Sequence, residues 1–408
     1  MKPSPRWLIL LSLALAACDL AAPALPTLVP TLSPAPATPT AMRSPTSPAP
    51  VDPSATPPPS ETPPTPAAAQ FIAYVRDRQL LVTDVTGGRA GGTTQYTLAG
   101  VDDQVLSLTW SPSGEFIAFV SLASGEPRLF VVYAVGAGTP VDLGPGLGPA
   151  WSPDSTRLVF ERDGNLWLTP IDAPAPAQLT FQIDWAWGQA AFTPDGSAVI
   201  VAENARANLG ASGNTFFTLK RLALDGSGAL TPLPGSPELA GVRLPMNLRF
   251  APDGRKLAFS TSYHYNACGA PGAHYIGDAN GNNLSELVSP SLAALADPQN
   301  EVFLSAYDLA WSPASDAILA AGYVRNCKDF SGDIVGGPQL SILGLDGTER
   351  LIVPGAFSAP SYDRTGNWFA AVRYPGLQSP DGNVQIYSAQ TGELVLDLGP
   401  GNSPQLQP

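Results

Sequence analysis

Short alternating apolar runs recur along the chain, and each is bounded by a turn rich in Pro, Ser, Asp and Gly. The segments LTWSPSGEFIAFV, AWSPDSTRLVFER, AAFTPDGSAVIVA, LRFAPDGRKLAFS and LAWSPASDAILAA share an aromatic residue, a Pro-containing turn and a β-rich run. Proline at the second turn position presets φ, and a glycine at the end of the turn tolerates a positive φ. The pattern predicts a tight hairpin between a first and a second strand in every repeat.

The repeats follow one another at the period of a propeller or a solenoid. Counted from one anchoring aromatic residue to the next, the spacings are 41, 41, 58, 61 and 51 residues, with the anchors at Trp110, Trp151, Phe192, Phe250, Trp311 and, in an eroded copy, Tyr362. A third and a fourth apolar run follow each hairpin. Four strands per repeat, with an aromatic residue ending the innermost, predict propeller blades with that residue packed between neighbours.

The two ends of the repeat region predict how the ring closes. Residues 71–99 read as second, third and fourth strands without a first, and residues 402–408 read as a first strand without the others. Pairing them removes exposed sheet edges, which would otherwise promote aggregation. The sequence therefore predicts an all-β, seven-bladed β-propeller whose blade 1 is closed by the C-terminal strand. A six-bladed ring or an open array is the alternative.

The WSPDG-type turns and the β-rich runs after them resemble the TolB-like, or PD40 (WD40-like), propeller repeats over nearly all of residues 70–408. Such repeats occur in TolB, in oligogalacturonate lyases and in prolyl-oligopeptidase-type peptidases. The resemblance implies a fold more than a function, because one scaffold hosts several activities. The peptidase relatives carry their nucleophile on a separate hydrolase domain, and no G-x-S-x-G elbow occurs in this sequence.

The N-terminus reads as an export signal followed by a spacer. Residues 1–17 have a basic start and an apolar core that is too short for a permanent span. The Leu-Ala-Ala-Cys sequence ending at Cys18 resembles a bacterial lipobox, which implies lipidation of that cysteine. The alternative is an ordinary signal peptide with a chance cysteine. Residues 18–69 then read as a disordered linker rich in Pro, Thr, Ser and Ala, and residues 70–408 as the propeller.

Charge narrows the range of partners. The formal net charge is -13, and charged residues make up only 13% of the chain. An acidic surface repels phosphate backbones, so nucleic acid is not an expected partner. We expect an extracytoplasmic, lipid-anchored monomer at the cell surface or in the periplasm. Its ligand is an unknown protein, peptide or polysaccharide.

The loops between second and third strands are long in the later repeats, and these loops predict a binding face on that side of the ring. They lie at about 204–213, 263–273, 324–337 and 375–382. The candidate ligand-binding residues on or near this face are Trp185, Trp187, Tyr263, His264, Tyr265, Asp308 and Arg325. Trp185 and Trp187 could instead fill the core between blades. Cys268 and Cys327 lie in corresponding loops of successive repeats, and an oxidising compartment favours a disulfide between them over free thiols.

The sequence predicts no metal site and no cofactor. The lyases of this resemblance carry a histidine-rich manganese site, but the two histidines here, His264 and His274, share one predicted loop and cannot rebuild it. Residues 278–283 read as turn chemistry and not as a calcium loop. A binding or scaffold module is therefore favoured over an enzyme. The alternative is a carbohydrate-active enzyme using paired carboxylates at the channel mouth, drawn from Asp102, Asp103, Asp184 and Asp308.

Overall fold

The alternating pattern folds into a ring of antiparallel sheets. The computed structural model describes residues 69–96, 104–123, 125–136, 138–181, 185–205, 217–233, 243–263, 272–328, 333–377 and 379–408. Within them, seven four-stranded sheets form the blades of a β-propeller, so the predicted fold class is confirmed. No helix in this described part is long and apolar enough to cross a membrane.

Each blade is a meander that runs outward from the central channel. Blade 1 contains β28 (Asn402–Leu406), β1 (Phe71–Arg76), β2 (Gln79–Asp84) and β3 (Thr93–Tyr96). Blade 2 contains β4 (Gln104–Trp110), β5 (Phe116–Ala123), β6 (Glu126–Tyr133) and β7 (Val141–Pro145). Blade 3 contains β8 (Leu147–Trp151), β9 (Arg157–Arg162), β10 (Asn165–Pro170) and β11 (Ala177–Gln178). Blade 4 contains β12 (Trp185–Phe192), β13 (Ala198–Ala205), β14 (Phe217–Ala223) and β15 (Leu230–Pro232).

The later blades follow the same order with longer connections. Blade 5 contains β16 (Arg243–Phe250), β17 (Lys256–Tyr263), β18 (His274–Asp278) and β19 (Ser285–Leu287). A short helix, α1 (Pro290–Ala293), lies between blades 5 and 6 in the chain. Blade 6 contains β20 (Val302–Trp311), β21 (Ala317–Asn326), β22 (Asp333–Gly344) and β23 (Glu349–Pro354). Blade 7 contains β24 (Ala356–Tyr362), β25 (Trp368–Tyr374), β26 (Asn383–Ser388) and β27 (Leu394–Pro400).

The repeated turn has the predicted hairpin geometry. In blade 2 the amide of Gly114 donates to the carbonyl of Ser111, and Gly114 has a φ of 70°. Blades 3 and 6 place Ser155 and Ser315 at this left-handed position, with φ near 60°. Their hydroxyls accept hydrogen bonds from the turn of the preceding blade, the Ser155 hydroxyl from the amide of Ser113 at 2.9 Å. The strained serines are therefore also links between blades.

The core is divided into seven apolar clusters, one at each blade interface among the described residues. As predicted, an anchoring aromatic residue ends six of the seven inner strands and packs against the preceding blade, whereas β28 of blade 1 ends at Leu406. Trp151, for example, joins the cluster between blades 2 and 3, and its indole nitrogen donates to the carbonyl of Thr109 at 3.1 Å. Trp110 and Trp311 make the equivalent bond to the blade before them. Tryptophan at this position therefore both packs and hydrogen-bonds across the interface.

The C-terminal strand closes the ring as predicted. β28 pairs antiparallel with β1, and Leu406 is buried in the cluster between blades 7 and 1. Both ends of the Gln405 side-chain amide bond to blade 2. Its Nε2 donates to the backbone carbonyl of Leu108, and its Oε1 accepts from the backbone amide of Trp110. The amide of Leu406 donates to the hydroxyl of Ser361 in blade 7. One strand thus holds three blades together.

One of the predicted long loops is mostly regular structure. The stretch 324–337 was expected to be a loop, but β21 extends to Asn326 and β22 begins at Asp333. The helix α1 packs over this long hairpin through buried Leu292, which lies 3.0 Å from where a side chain at Gly322 would begin. Glycine at 322 therefore permits the close approach of the connector to blade 6.

Candidate functional site

The seven inner strands line a central channel whose wall is built from equivalent positions. Most of these strands carry a β-bulge three to four residues before the anchoring residue. Gly148, Asn247, Ala359 and Ser403 occupy the third position before it, with φ between 50° and 57°. A bulge turns the local backbone and re-aims side chains. In this propeller, the four residues at the bulge all line the channel.

Asp308 lines the channel, as predicted, but its carboxylate is engaged by neighbouring blades. One oxygen accepts a hydrogen bond from the side-chain amide of Asn247 in blade 5 at 2.9 Å. The other accepts from the backbone amide of Ala359 in blade 7, also at 2.9 Å. Asp308 therefore joins three blades, and this engagement differs from that expected of a solvated catalytic carboxylate.

Arg249 supplies positive charge to the same channel, and the sequence reasoning missed it. The residue lines the cavity, and its side chain remains accessible there. Burial lowers the pKa of its guanidinium, and the nearby Asp308 carboxylate offsets part of that effect. An arginine stays protonated under such conditions. A signal existed in the repeats, because the residue before the anchor is otherwise small or uncharged.

The cavity occupies the part of the channel nearest the hairpin turns. Its volume is about 820 Å³, and it is lined by the turn prolines Pro112, Pro153, Pro194 and Pro252 as well as by the inner strands. The expected binding face was the opposite one, at the loops between second and third strands. Of the described candidate residues, Asp308 lines this cavity, whereas Arg325 does not.

Arg325 lies instead on the long hairpin of blade 6. Its guanidinium donates to the hydroxyl of Ser305 at 2.8 Å and to the hydroxyl of Tyr323 at 2.9 Å, and it lies over the Tyr323 ring. Directly beyond it, Ile334 pairs with Arg325 across the hairpin. Ile334 and Val335 are exposed, as is Leu295 of the connector, which contacts the hairpin at Gly336. This group of residues is called the blade 6 surface below.

Several candidate residues cannot be located in this arrangement. Trp185 and Trp187 begin β12 and Tyr263 ends β17, but their side chains lie outside the described set. His264, Tyr265, Cys268, Asp102, Asp103 and Asp184 lie outside the described residues altogether, as does Cys18. Cys327 is buried beside β21. Its disulfide with Cys268 stays a prediction.

His274 is not a loop residue, contrary to the sequence interpretation. It is the first residue of β18 and is 3% exposed. Its Nδ1 lies 3.0 Å from the hydroxyl of Ser260, and its other ring nitrogen donates to the backbone carbonyl of Ala321. Burial lowers its pKa to about 4. Both ring nitrogens therefore have hydrogen-bond partners inside the fold.

Among the described residues, no three His, Cys, Asp or Glu side chains lie close enough together to hold a metal ion. The predicted turn at 278–283 is confirmed. It joins β18 to β19, and the carboxylate of Asp278 accepts from Asn283 at 2.7 Å and lies 3.4 Å from the Lys256 ammonium.

Comparison with known proteins identifies the fold. No family model matches the chain, and no curated protein does. Among solved structures, an oligogalacturonate lyase in complex with manganese is similar, with a TM-score of 0.54 and 13% identity, covering 80% of this chain and 83% of that one. A puromycin-hydrolyzing peptidase from Mycobacterium tuberculosis has a TM-score of 0.53 and 15% identity, covering 73% of this chain and 46% of that one. TolB from Acinetobacter baumannii has a TM-score of 0.46 and 17% identity, covering 85% and 68%.

These similar structures include the kinds of protein that the repeats resemble. Their identities are all below 20%, so they carry the fold and not an activity. The described part of the chain is a seven-bladed β-propeller, and the wall of its channel contains Asp308, which joins three blades, and Arg249.

Proposed function

We propose that the protein is a membrane-tethered extracytoplasmic propeller that binds another protein or a peptide through the blade 6 surface. The propeller supplies a rigid support, and the N-terminal segment, lipidated at Cys18, supplies the anchor. The observation that carries the proposal is the exposed apolar group formed by Leu295, Ile334 and Val335 beside Arg325 and Tyr323.

The composition of this surface fits a protein partner. Aromatic residues and arginine are enriched at interfaces, and apolar residues form the buried centre of such a contact. The guanidinium of Arg325 is already oriented by Ser305 and Tyr323, so little side-chain entropy is lost when a partner binds. The strands of blade 6 are also longer than those of the other blades, at 10 to 12 residues for β20, β21 and β22.

A matched pair of variants tests the binding surface. Val335 and Leu394 are equally exposed, at 51%, on different blades. The full-length protein and its Val335→Asp and Leu394→Asp variants are used to capture partners from solubilised envelope membranes. We expect a partner retained by the wild type and by Leu394→Asp but lost with Val335→Asp. Equal retention by both variants would refute the role of this surface, and competition by soluble envelope polysaccharide would identify a carbohydrate ligand instead.

The anchor is tested separately. Replacement of Cys18 by serine removes the thiol that lipidation needs, so the full chain is expected to leave the membrane fraction and to lose labelling by radioactive palmitate. Retention in the membrane fraction with no labelling of the wild type would contradict lipidation at Cys18 and leave the binding test unaffected.

A further inference from the structure

Arg249 departs from the rule that the repeats otherwise follow. The residue before the anchoring side chain is small or uncharged in the other six blades, where it is Thr109, Ala150, Ala191, Ala310, Ser361 or Gln405. In blade 5 the same position is an arginine that lines the cavity. The residues at the equivalent position of most other inner strands are small, and they leave room in the channel for this long side chain.

The fold itself does not use the guanidinium of Arg249. Within the described residues its side chain makes no hydrogen bond and no ion pair, and its backbone carbonyl accepts from the indole of Trp311 at 3.1 Å. Asp308 attracts it electrostatically, but the two oxygens of that carboxylate already accept bonds from Asn247 and Ala359. A guanidinium that lines a cavity and has no side-chain partner is free to bind an anion there.

We propose that the central channel binds a small carboxylate anion, which is held by Arg249 and enters from the face that carries the hairpin turns. The planar guanidinium matches a carboxylate through two parallel hydrogen bonds. The hydroxyls of Ser107, Thr109 and Ser403 line the same cavity and can bond to the rest of the molecule. A volume of about 820 Å³ is in the range of sites for small ligands.

A singly charged carboxylate fits this site better than a phosphate. One guanidinium neutralises one charge, whereas inorganic phosphate carries between one and two negative charges at neutral pH. The negative charge of Asp308 in the channel opposes a second charge on the ligand. This site lies apart from the blade 6 surface, because neither Arg325 nor the exposed apolar residues beside it line the cavity. The proposal therefore stands independently of the proposed protein partner.

Calorimetric titration of the full-length protein in detergent tests this site. The probes are lactate and benzoate, their neutral amides lactamide and benzamide, and inorganic phosphate. The variants are Arg249→Gln, Arg249→Lys and Arg255→Gln. Arg255 is the matched control, since it lies in the turn of the same blade, its loss changes the net charge equally, and its side chain is 86% exposed.

We expect at least one carboxylate to bind, its amide to bind at least about tenfold more weakly, and Arg249→Gln to weaken binding by about tenfold or more. Arg249→Lys is expected to be intermediate, because it keeps the charge and loses the planar fork, and Arg255→Gln is expected to change affinity less than about twofold. Three results overturn the proposal: no binding of either carboxylate at 50 mM, equal binding of acid and amide, or equal effects of Arg249→Gln and Arg255→Gln. Tighter binding of phosphate than of both carboxylates overturns the assigned class of ligand.

Discussion

Mild acid is expected to destabilise the propeller through His274. The imidazole is buried between β17 and blade 6 with its pKa lowered to about 4 from the ordinary 6.5, because burial disfavours the charged ring. As the pH falls below 6.5, the unfolded chain takes up a proton that the folded protein excludes. The free energy of unfolding therefore falls with pH through the window between 6.5 and about 4, and no further loss arises from this group below that window.

The size of the effect follows from these two pKa values. At pH 5.0 the histidine is almost fully protonated in the unfolded chain but only about one-tenth protonated in the folded protein. The free energy of unfolding is therefore about 2 kcal/mol lower at pH 5.0 than at pH 7.5. Carboxyl groups whose pKa the fold lowers, such as Asp154 and Asp195, add to the loss at low pH, but they contribute equally to the wild type and to a histidine variant.

Urea unfolding at pH 7.5 and pH 5.0 measures the loss. His274→Gln removes the titrating ring, so the difference between the two pH values is expected to shrink by about 2 kcal/mol, even though the variant is less stable at both. His264 is the other of the two histidines, and His264→Gln is the control that leaves the buried ring intact. Unchanged pH dependence in His274→Gln, or an equal reduction in His264→Gln, would refute the reasoning.

Three further predictions concern contacts between blades. Trp151→Phe keeps the aromatic packing but leaves the carbonyl of Thr109 without its indole donor, and we expect unfolding to require about 1 kcal/mol less; an unchanged urea midpoint would show that the bond contributes nothing. Asp308→Ala removes the carboxylate that accepts from Asn247 in blade 5 and from the amide of Ala359 in blade 7, and the expected loss is about 2–4 kcal/mol by thermal unfolding; a stable variant would argue that the carboxylate is retained for chemistry. Deletion of residues 402–408 removes the inner strand of blade 1 and is expected to abolish the single cooperative transition seen by calorimetry, whereas a normal transition would contradict ring closure by β28.

The architecture could be predicted from the repeats because each blade carries the signals for its own inner hairpin within a short stretch of sequence. The anchoring residue, the turn and the alternation that follows are contained in about 20 consecutive residues, so Trp110 or Phe250 could be assigned to the end of an inner strand without knowing its neighbours. Even the closing contact was predictable, since the first blade lacked one strand and the last residues supplied one.

The site was harder to predict because its members come from different blades. The sequence shows Asp308 as a carboxylate near the channel, but its engagement depends on Asn247, which lies 61 residues earlier, and on Ala359, which lies 51 residues later. His274 was read as a loop residue because its neighbours in sequence are glycine, proline and alanine, whereas burial against Ser260 and Ala321 decides its state. Arg249 could have been found by comparing the repeats column by column instead of searching for known motifs.

The separation of the core into seven interface clusters has a consequence for local opening. A linear array of repeats frays from its ends, where a terminal unit has one neighbour. Each blade of this ring has two, so detaching any blade exposes two apolar interfaces at once. We therefore expect the slowest-exchanging backbone amides to be spread around the whole circle in the second strands, with opening free energies close to that of complete unfolding.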